Sequence, residues 1–247
     1  MKSTIKNILR TTYYFLFKRK VKSYDFNESN PLGGDGERVD IQLNKPFNFS
    51  SLDMYQKNHF KRYEFAYEHI NKGDICGDFA CGTGYGSVLI SQKASKVIGA
   101  DLDENVINAI KERYKQYSNV EFLNENLLNL KFRETFDSII SFETIEHFSE
   151  KDIIKLLRKF NKALKENGKL IFSTPYMQEK SETAEKLGFH LTFLLNEDKI
   201  TKFLVESGFQ LEFAKFQNYE THEILDIIDN KEFIIAVAKK HKDRSEE

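Results

Sequence analysis

Apolar residues fall into short blocks along the chain, and their spacing switches repeatedly between a helical and an extended period. Near the start, Ile5, Ile8, Leu9, Thr12, Tyr13 and Leu16 lie close to one helical stripe. Residues 25–50 contain two of the three prolines and three glycines with little periodicity, which predicts a connecting segment or lid. Over residues 52–70, the spacing of Phe60, Tyr63, Phe65, Ala66, Tyr67 and Ile70 suits a helix. From there the elements alternate. A mostly apolar run over 75–80 ends in glycines and passes into a helical stretch around Val88, Leu89 and Ile90. A second run over 97–100 ends in Asp101. Asp103 then stands as an N-cap before a helix carrying Val106, Ile107, Ala109, Ile110 and Tyr114.

Runs over 120–123 and 136–142 continue the series, followed by a helix after Ser149 with Ile153, Ile154, Leu156, Leu157, Phe160, Ala163 and Leu164. Asn167-Gly168 reads as the end of that helix, with a strand over 170–172 behind it. A capped helix from 196 to 207 and strands over 209–216 and 233–238 complete the pattern. Strands and helices in this order imply parallel pairing with helices on both faces. The prediction is a doubly wound α/β domain with a seven-stranded, mostly parallel sheet and an N-terminal helical extension. The domain spans residues 52–240, after a basic helix and linker or lid over 1–51 and before a polar tail over 241–247.

The 247 residues carry 37 Lys+Arg against 38 Asp+Glu, a balance that argues against nucleic acid as the principal partner. Cys76 and Cys81 lie five residues apart, too few and too close for a disulfide scaffold, so a reducing, cytoplasmic setting is expected. No run of about 18 apolar residues occurs, which removes a spanning helix. One asymmetry survives the averaging. Residues 1–22 hold seven basic side chains (Lys2, Lys6, Arg10, Lys18, Arg19, Lys20 and Lys22) and no acid. They suit either peripheral contact with the inner face of an anionic membrane or an ordinary helix packed on its own domain.

The chemistry concentrates in Asp78-Phe79-Ala80-Cys81-Gly82-Thr83-Gly84-Tyr85-Gly86, where the first strand turns into its helix. Ligands of open parallel sheets bind beyond that strand end, and glycines there let the backbone approach them. Asp101 follows Gly82 by 19 residues at the end of the next strand, where a carboxylate can accept from both ribose hydroxyls. A nucleoside ligand is therefore expected. The glycine spacing differs from the dinucleotide pattern, with Ser87 at its sixth position.

This loop resembles the first motif of class I S-adenosylmethionine-dependent methyltransferases. The resemblance continues through Val97 to Asp101, Val120 to Leu127, Phe136 to Phe148 and Leu164 to Pro175. It implies a Rossmann-like methyltransferase fold that binds S-adenosylmethionine. Asp78 would orient the cofactor amino group, Ala80, Gly82 and Gly84 would line the methionine portion, and Asp101 with Leu102 would hold the nucleoside. Asn126 stands where the family often has an acid facing the adenine amine, and its amide oxygen can accept that bond more weakly. Leu127 would offer its N–H to the ring. Arg62, in a basic-aromatic segment over 59–63, would pair with the cofactor carboxylate or stay solvated on its helix. Cys81 reads as packing.

Glu143-Thr144-Ile145-Glu146-His147 begins at the carboxyl end of the fourth strand and faces the pocket. His147 is the leading general base, Glu143 its orienting or acceptor-contacting partner, and His190 a further catalytic candidate on the substrate side. Glu143, Glu146, His147 and His190 also resemble the metal set of small-RNA 2′-O-methyltransferases, which would suit Mg²⁺ or Mn²⁺. The alternative is a structural Glu-His pair with a rim histidine. Gly36-Glu37-Arg38, the basic-aromatic helix and the turn over 173–176 resemble bacterial methyltransferases of surface-polysaccharide assembly. The preferred expectation is O-methylation of a sugar or glycan-linked precursor. A quinone-like or other small acceptor, an RNA acceptor and a non-catalytic cofactor-binding module remain open.

Overall fold

The computed structural model describes residues 38–43, 47–180 and 190–241. The basic segment 1–22, most of the linker and nearly all of the polar tail lie outside the described residues. The first helix, α1 (Met54–His69), is started by Asp53, whose carboxylate accepts from Gln56 N while the Gln56 side chain returns to Asp53 N. This capping box satisfies two otherwise orphaned donors. Then come β1 (Ile75–Phe79), α2 (Tyr85–Ser91), β2 (Lys96–Asp101), α3 (Glu104–Arg113) and β3 (Val120–Asn124). The second half adds β4 (Phe136–Phe142), α4 (Glu150–Ala163), β5 (Leu164–Pro175), α5 (Glu197–Glu206), β6 (Phe209–Gln217), β7 (Ile224–Leu225) and β8 (Phe233–Lys240).

The sheet runs β3-β2-β1-β4-β5-β8-β6-β7. The first five strands are parallel, whereas β8, β6 and β7 join antiparallel. The doubly wound, mostly parallel architecture is as expected, with eight strands among the described residues instead of seven. The added one, β7, is only two residues long and bonds to the end of β6. The chain order reverses direction between β1 and β4, so the switch-point crevice opens at their carboxyl ends.

Strand alternation builds both core layers. Ile139, Leu170, Phe172, Ile234 and Ala236 face a layer completed by Leu156, Phe160 and Leu204 from α4 and α5. Their neighbours Ile140, Ile171, Ile235 and Val237 face the opposite layer with Tyr63, Ala66 and Ile90 from α1 and α2. Burial on both faces explains why the central strands read as apolar runs without alternation. A third cluster seats α3 on β3 through Val106, Ile110 and Phe122.

One boundary differs from expectation. Helix α4 ends at Ala163, and Leu164 already pairs with Phe136. The two-residue step from Phe136 to Ser138 on β4 faces a five-residue step from Leu164 to Lys169 on β5. Asn167, at φ 60°, therefore shapes a strand irregularity instead of capping the helix.

Helices α1 and α2 approach where Tyr63 lies across Gly86. A Cβ at Gly86 would stand 2.0 Å from the Tyr63 ring. Gly86→Ala must displace that ring, and we expect a loss of about 1–3 kcal/mol of stability, the usual cost of overpacking. Urea unfolding of the variant against the parent measures it; an unchanged midpoint would show that the helices slide apart freely.

Candidate cofactor and acceptor site

The crevice is framed by strained backbone. Ala80 follows β1 at φ 61°, Glu143 follows β4 at φ 49°, and Met177 stands just beyond β5 at φ 49°. Residues with side chains rarely adopt this left-handed region, which costs on the order of 1–3 kcal/mol each and persists only where the surroundings enforce it. Three such residues therefore mark the same edge of the sheet.

Between β1 and α2, Gly82 (φ 51°) and Gly84 (φ 74°) carry the turn. They serve different needs. A Cβ on Gly82 would meet nothing within 4 Å, so the loop presents bare backbone to open space. A Cβ on Gly84 would come within 2.9 Å of the Phe122 ring, so here close packing adds to the conformational demand. The loop is tied to β2 by Cys81 N donating to Ala100 O at 3.0 Å and Gly82 N donating to Asp101 Oδ2 at 3.0 Å. Asp103 N donates to Asp101 Oδ1 at 3.1 Å, so each oxygen of Asp101 holds one backbone donor and keeps lone-pair capacity. Leu102 beside it is 70% exposed, an apolar surface standing at the crevice. Asn126 caps the turn Leu127–Asn129, its amide oxygen accepting from Leu128 N at 2.9 Å. That oxygen thus holds one backbone donor and, like each oxygen of Asp101, keeps a second lone pair. Leu127 itself is buried.

Beneath the loop, Asp78 is fully buried. Tyr63 Oη donates to its Oδ1 at 2.9 Å and Ser87 Oγ to its Oδ2 at 2.5 Å. Burial outweighs these two bonds and raises the carboxyl from its ordinary range to about 6. Alongside, His59 Nδ1 and Tyr85 Oη share a hydrogen bond of 2.5 Å. Burial, aided by Arg62, pushes the His59 imidazole down to about 3. Sequence reasoning missed His59, Tyr63 and Ser87 as parts of the site. The signal within reach was Ser87 itself, a hydroxyl one turn into the helix above an acid. The buried Cys81 thiol is pushed well up by burial, consistent with a packing role.

On the acceptor side, the structure places Arg62 differently from expectation. Its side chain is 3% exposed, with Nη1 3.3 Å from Glu143 Oε1, Nε donating to Gln217 Oε1 at 2.8 Å, and Cζ 4.0 Å from the centroid of the Phe233 ring. It is committed to Glu143 inside the protein. Ser173 Oγ donates to the same Glu143 oxygen at 2.7 Å. Glu146 is buried; its Oε2 accepts from Thr174 Oγ1 at 3.0 Å, while Oε1 has no partner among the described residues. Burial and the nearby Glu143 carboxylate hold the Glu146 carboxyl well above its usual range.

His147 and His190 meet edge to face with centroids 5.0 Å apart, and His190 Nδ1 bonds Gln178 Oε1 at 2.8 Å. His190, distant in sequence, is held near by Leu191 N and Thr192 N donating to Glu146 O at 2.8 and 3.1 Å. Glu146, His147 and His190 offer ligand atoms within 4.8 Å of one another. Glu143, expected in that set, lies outside this trio, and its Oε1 is instead held by Arg62 and Ser173.

Residues 77–168 match the family model of a methyltransferase domain. The chain is 31% identical over 156 residues to a Mycobacterium tuberculosis H37Rv protein named as a probable S-adenosylmethionine-dependent methyltransferase, covering 61% of this chain and 55% of that one. It is 24% identical over 134 residues to a demethylmenaquinone methyltransferase of Staphylococcus haemolyticus, covering 53% of each. The chain thus spans about half the length of these relatives. Among solved structures, an S-adenosylmethionine-dependent methyltransferase of Clostridium acetobutylicum superposes with a TM-score of 0.61 at 16% identity, over 78% of this chain and 94% of that one. A Haloferax volcanii complex of the Trm112 methyltransferase activator with its partner reaches 0.62 at 15% identity, over 76% and 92%. The fold is the Rossmann-like fold of these enzymes.

Asp78 predicts a pH signature. Its raised carboxyl keeps a proton that the unfolded chain has lost between about pH 4 and 6, so its contribution to stability falls as pH rises through that window. His59, depressed to about 3, acts oppositely: it favours the fold above pH 6.5 and loses that contribution as pH falls. The difference between parent and Asp78→Asn isolates the first group. We expect the parent's stability relative to the variant to drop by up to about 3 kcal/mol from pH 4 to 6.5, because each pH step of one across that window removes about 1.4 kcal/mol. Parallel urea curves across that range would contradict it.

Proposed function

We propose that the chain is an S-adenosylmethionine-dependent methyltransferase acting on the oxygen of a hydroxyl-bearing acceptor, a sugar or a glycan-linked precursor. The observation that carries this reading is the open glycine loop at the end of β1 beside a glutamate- and histidine-lined rim at the end of β4. The residues present fit the cofactor: bare backbone over Gly82, an acid with spare lone pairs at Asp101, and an exposed apolar side chain at Leu102. The bound cofactor supplies an electrophilic methyl group on a sulfonium sulfur. Asp101 would accept from the ribose hydroxyls, Leu102 would cover the adenine face, Leu127 would offer its N–H to the ring, and Gly82 and Gly84 with Ala80 would line the methionine portion. Asp78, fully buried beneath the loop and held by Tyr63 and Ser87, would hold the loop's shape and orient the amino group through water.

Displacement at a methyl group needs the acceptor oxygen in line and at short range, so positioning carries much of the work. His147 would take the hydroxyl proton, since a neutral imidazole nitrogen can accept one at this rim. His190 and Gln178 would hydrogen-bond the acceptor rim, and Glu143, fixed by Arg62 and Ser173, would present a carboxylate toward it. Ionisable and amide side chains of this kind suit a polyhydroxylated acceptor better than an apolar quinone ring. The resemblance to surface-polysaccharide enzymes supports the same choice.

A second reading has one specific observation behind it. The unpartnered, buried Oε1 of Glu146 and the 4.8 Å grouping with His147 and His190 would suit a divalent cation, Mg²⁺ or Mn²⁺, held at the acceptor side. Activity that survives exhaustive chelation removes it.

Mass spectrometry of sugar nucleotides and glycan extracts incubated with the protein and deuteromethyl cofactor tests the main reading, with a shifted methyl mass on oxygen as the expected product. His147→Ala should lower single-turnover rates by about 10²–10⁴ with cofactor affinity within twofold of the parent. Asp101→Ala should instead weaken cofactor binding at least tenfold in calorimetry. The reverse pattern would show the roles to be misassigned.

A further inference from the structure

Residues 38–43 form a strap that none of the contacts proposed above uses. Its fixing is unusually dense for six residues. Asp40 makes a bidentate pair with Arg113 at the end of α3, Oδ1 to Nη1 at 2.6 Å and Oδ2 to Nη2 at 3.1 Å. Asp40 O accepts from Gln56 Nε2 at 2.8 Å on α1, and Val39 O accepts from Thr83 Oγ1 at 2.8 Å inside the glycine loop. Ile41 is 1% exposed and packs in the same layer as Phe60 and Tyr85. The strap therefore ties together the end of α3, the glycine loop and α1.

What this anchoring positions is Arg38. Its Nη2 lies 3.1 Å from Asp103 Oδ2 and 3.9 Å from Asp101 Oδ1. Asp101 is the acid read as the ribose acceptor, and Arg38 stands against it with its side chain one quarter exposed. A carboxylate can only accept hydrogen bonds, whereas a ribose hydroxyl both donates and accepts. A guanidinium beside the carboxylate supplies the missing donor, and its planar fork of five N–H groups can serve Asp103 and a hydroxyl together.

We propose that Arg38 is a ribose-binding residue: it donates to a ribose hydroxyl oxygen whose own O–H donates a hydrogen bond to Asp101, and the Asp40–Arg113 pair acts as the positioning anchor that keeps it there. This rests on the reading of the crevice as a nucleoside site. The pair Arg38/Asp101 then recognises the diol as a donor-acceptor unit, and removing either hydroxyl leaves a partly buried donor or acceptor with poorer company.

The test is calorimetric binding of S-adenosylhomocysteine and of its 2′-deoxy and 3′-deoxy analogues to the full chain. Arg38→Ala should weaken the ribose form about tenfold and narrow its preference over at least one deoxy analogue by a similar factor. That preference ratio is independent of how much of the variant is correctly folded. Asp40→Asn should shift both quantities the same way by severalfold, and the exchanged pair Asp40→Arg with Arg113→Asp should restore part of the ratio. An unchanged ratio in Arg38→Ala, with or without a change in affinity, overturns the proposal. Asp101→Ala separates the two levels: if it too leaves affinity and ratio untouched, the nucleoside reading of the crevice fails, whereas its loss of binding beside an unaffected Arg38→Ala discards Arg38 alone.

Discussion

The buried carboxylate of Asp78 is the constraint around which the site is arranged. Taking a carboxylate out of water is costly, and two hydrogen bonds from Tyr63 and Ser87 only partly offset that cost, since the group still titrates near 6. The donors come from two different helices. To reach Asp78, Tyr63 must lie flat across α2, which is why residue 86 lacks a side chain. The first strand, the glycine loop and α1 are thereby held in one mutual geometry.

The strained residues at the crevice follow from the same arrangement. Ala80, Glu143 and Met177 depart from ordinary backbone where strands β1, β4 and β5 end, while the stretches just before them are buried and regularly paired. Rigid parallel pairing beneath them, with Asp78 opposite Gly99 and Ile140, supplies the enforcement that such conformations need. In turn, the left-handed turn at Glu143 starts a loop that places Glu146 under Thr174 and brings His147 beside His190.

Most of the architecture was legible because buried parallel strands and amphipathic helices write local signals. The apolar runs at 75–80, 97–100 and 136–142 and the caps at Asp103, Ser149 and Asn196 all correspond to observed elements. The misreadings have physical causes. Asn167-Gly168 looks like a helix end because a left-handed residue serves a strand irregularity equally well. A two-residue strand such as β7 is too short to show a period. In the site, the glycine loop and Asp101 were readable since both lie where consecutive elements join. Arg62 was not, because its partners Glu143, Gln217 and Phe233 are 81, 155 and 171 residues away and no local pattern names them. The grouping of His190 with Glu146 and His147 was anticipated only through resemblance; two backbone bonds to Glu146 O bring it there.

Arg62 and Tyr63 are adjacent on α1 and point to the two halves of the crevice. Tyr63 binds the acid beneath the glycine loop, and Arg62 binds the glutamate that opens the acceptor loop. Neighbouring helical positions diverge by about 100°, so one rigid helix can brace two walls at once. An Arg62–Glu143 pair shielded from water is held more firmly than an exposed one, and the Phe233 ring over the guanidinium removes a further freedom. Placed where it is, the charge makes the loop after β4 depend on the same helix that braces the loop after β1, so the two sides of the crevice share one reference frame.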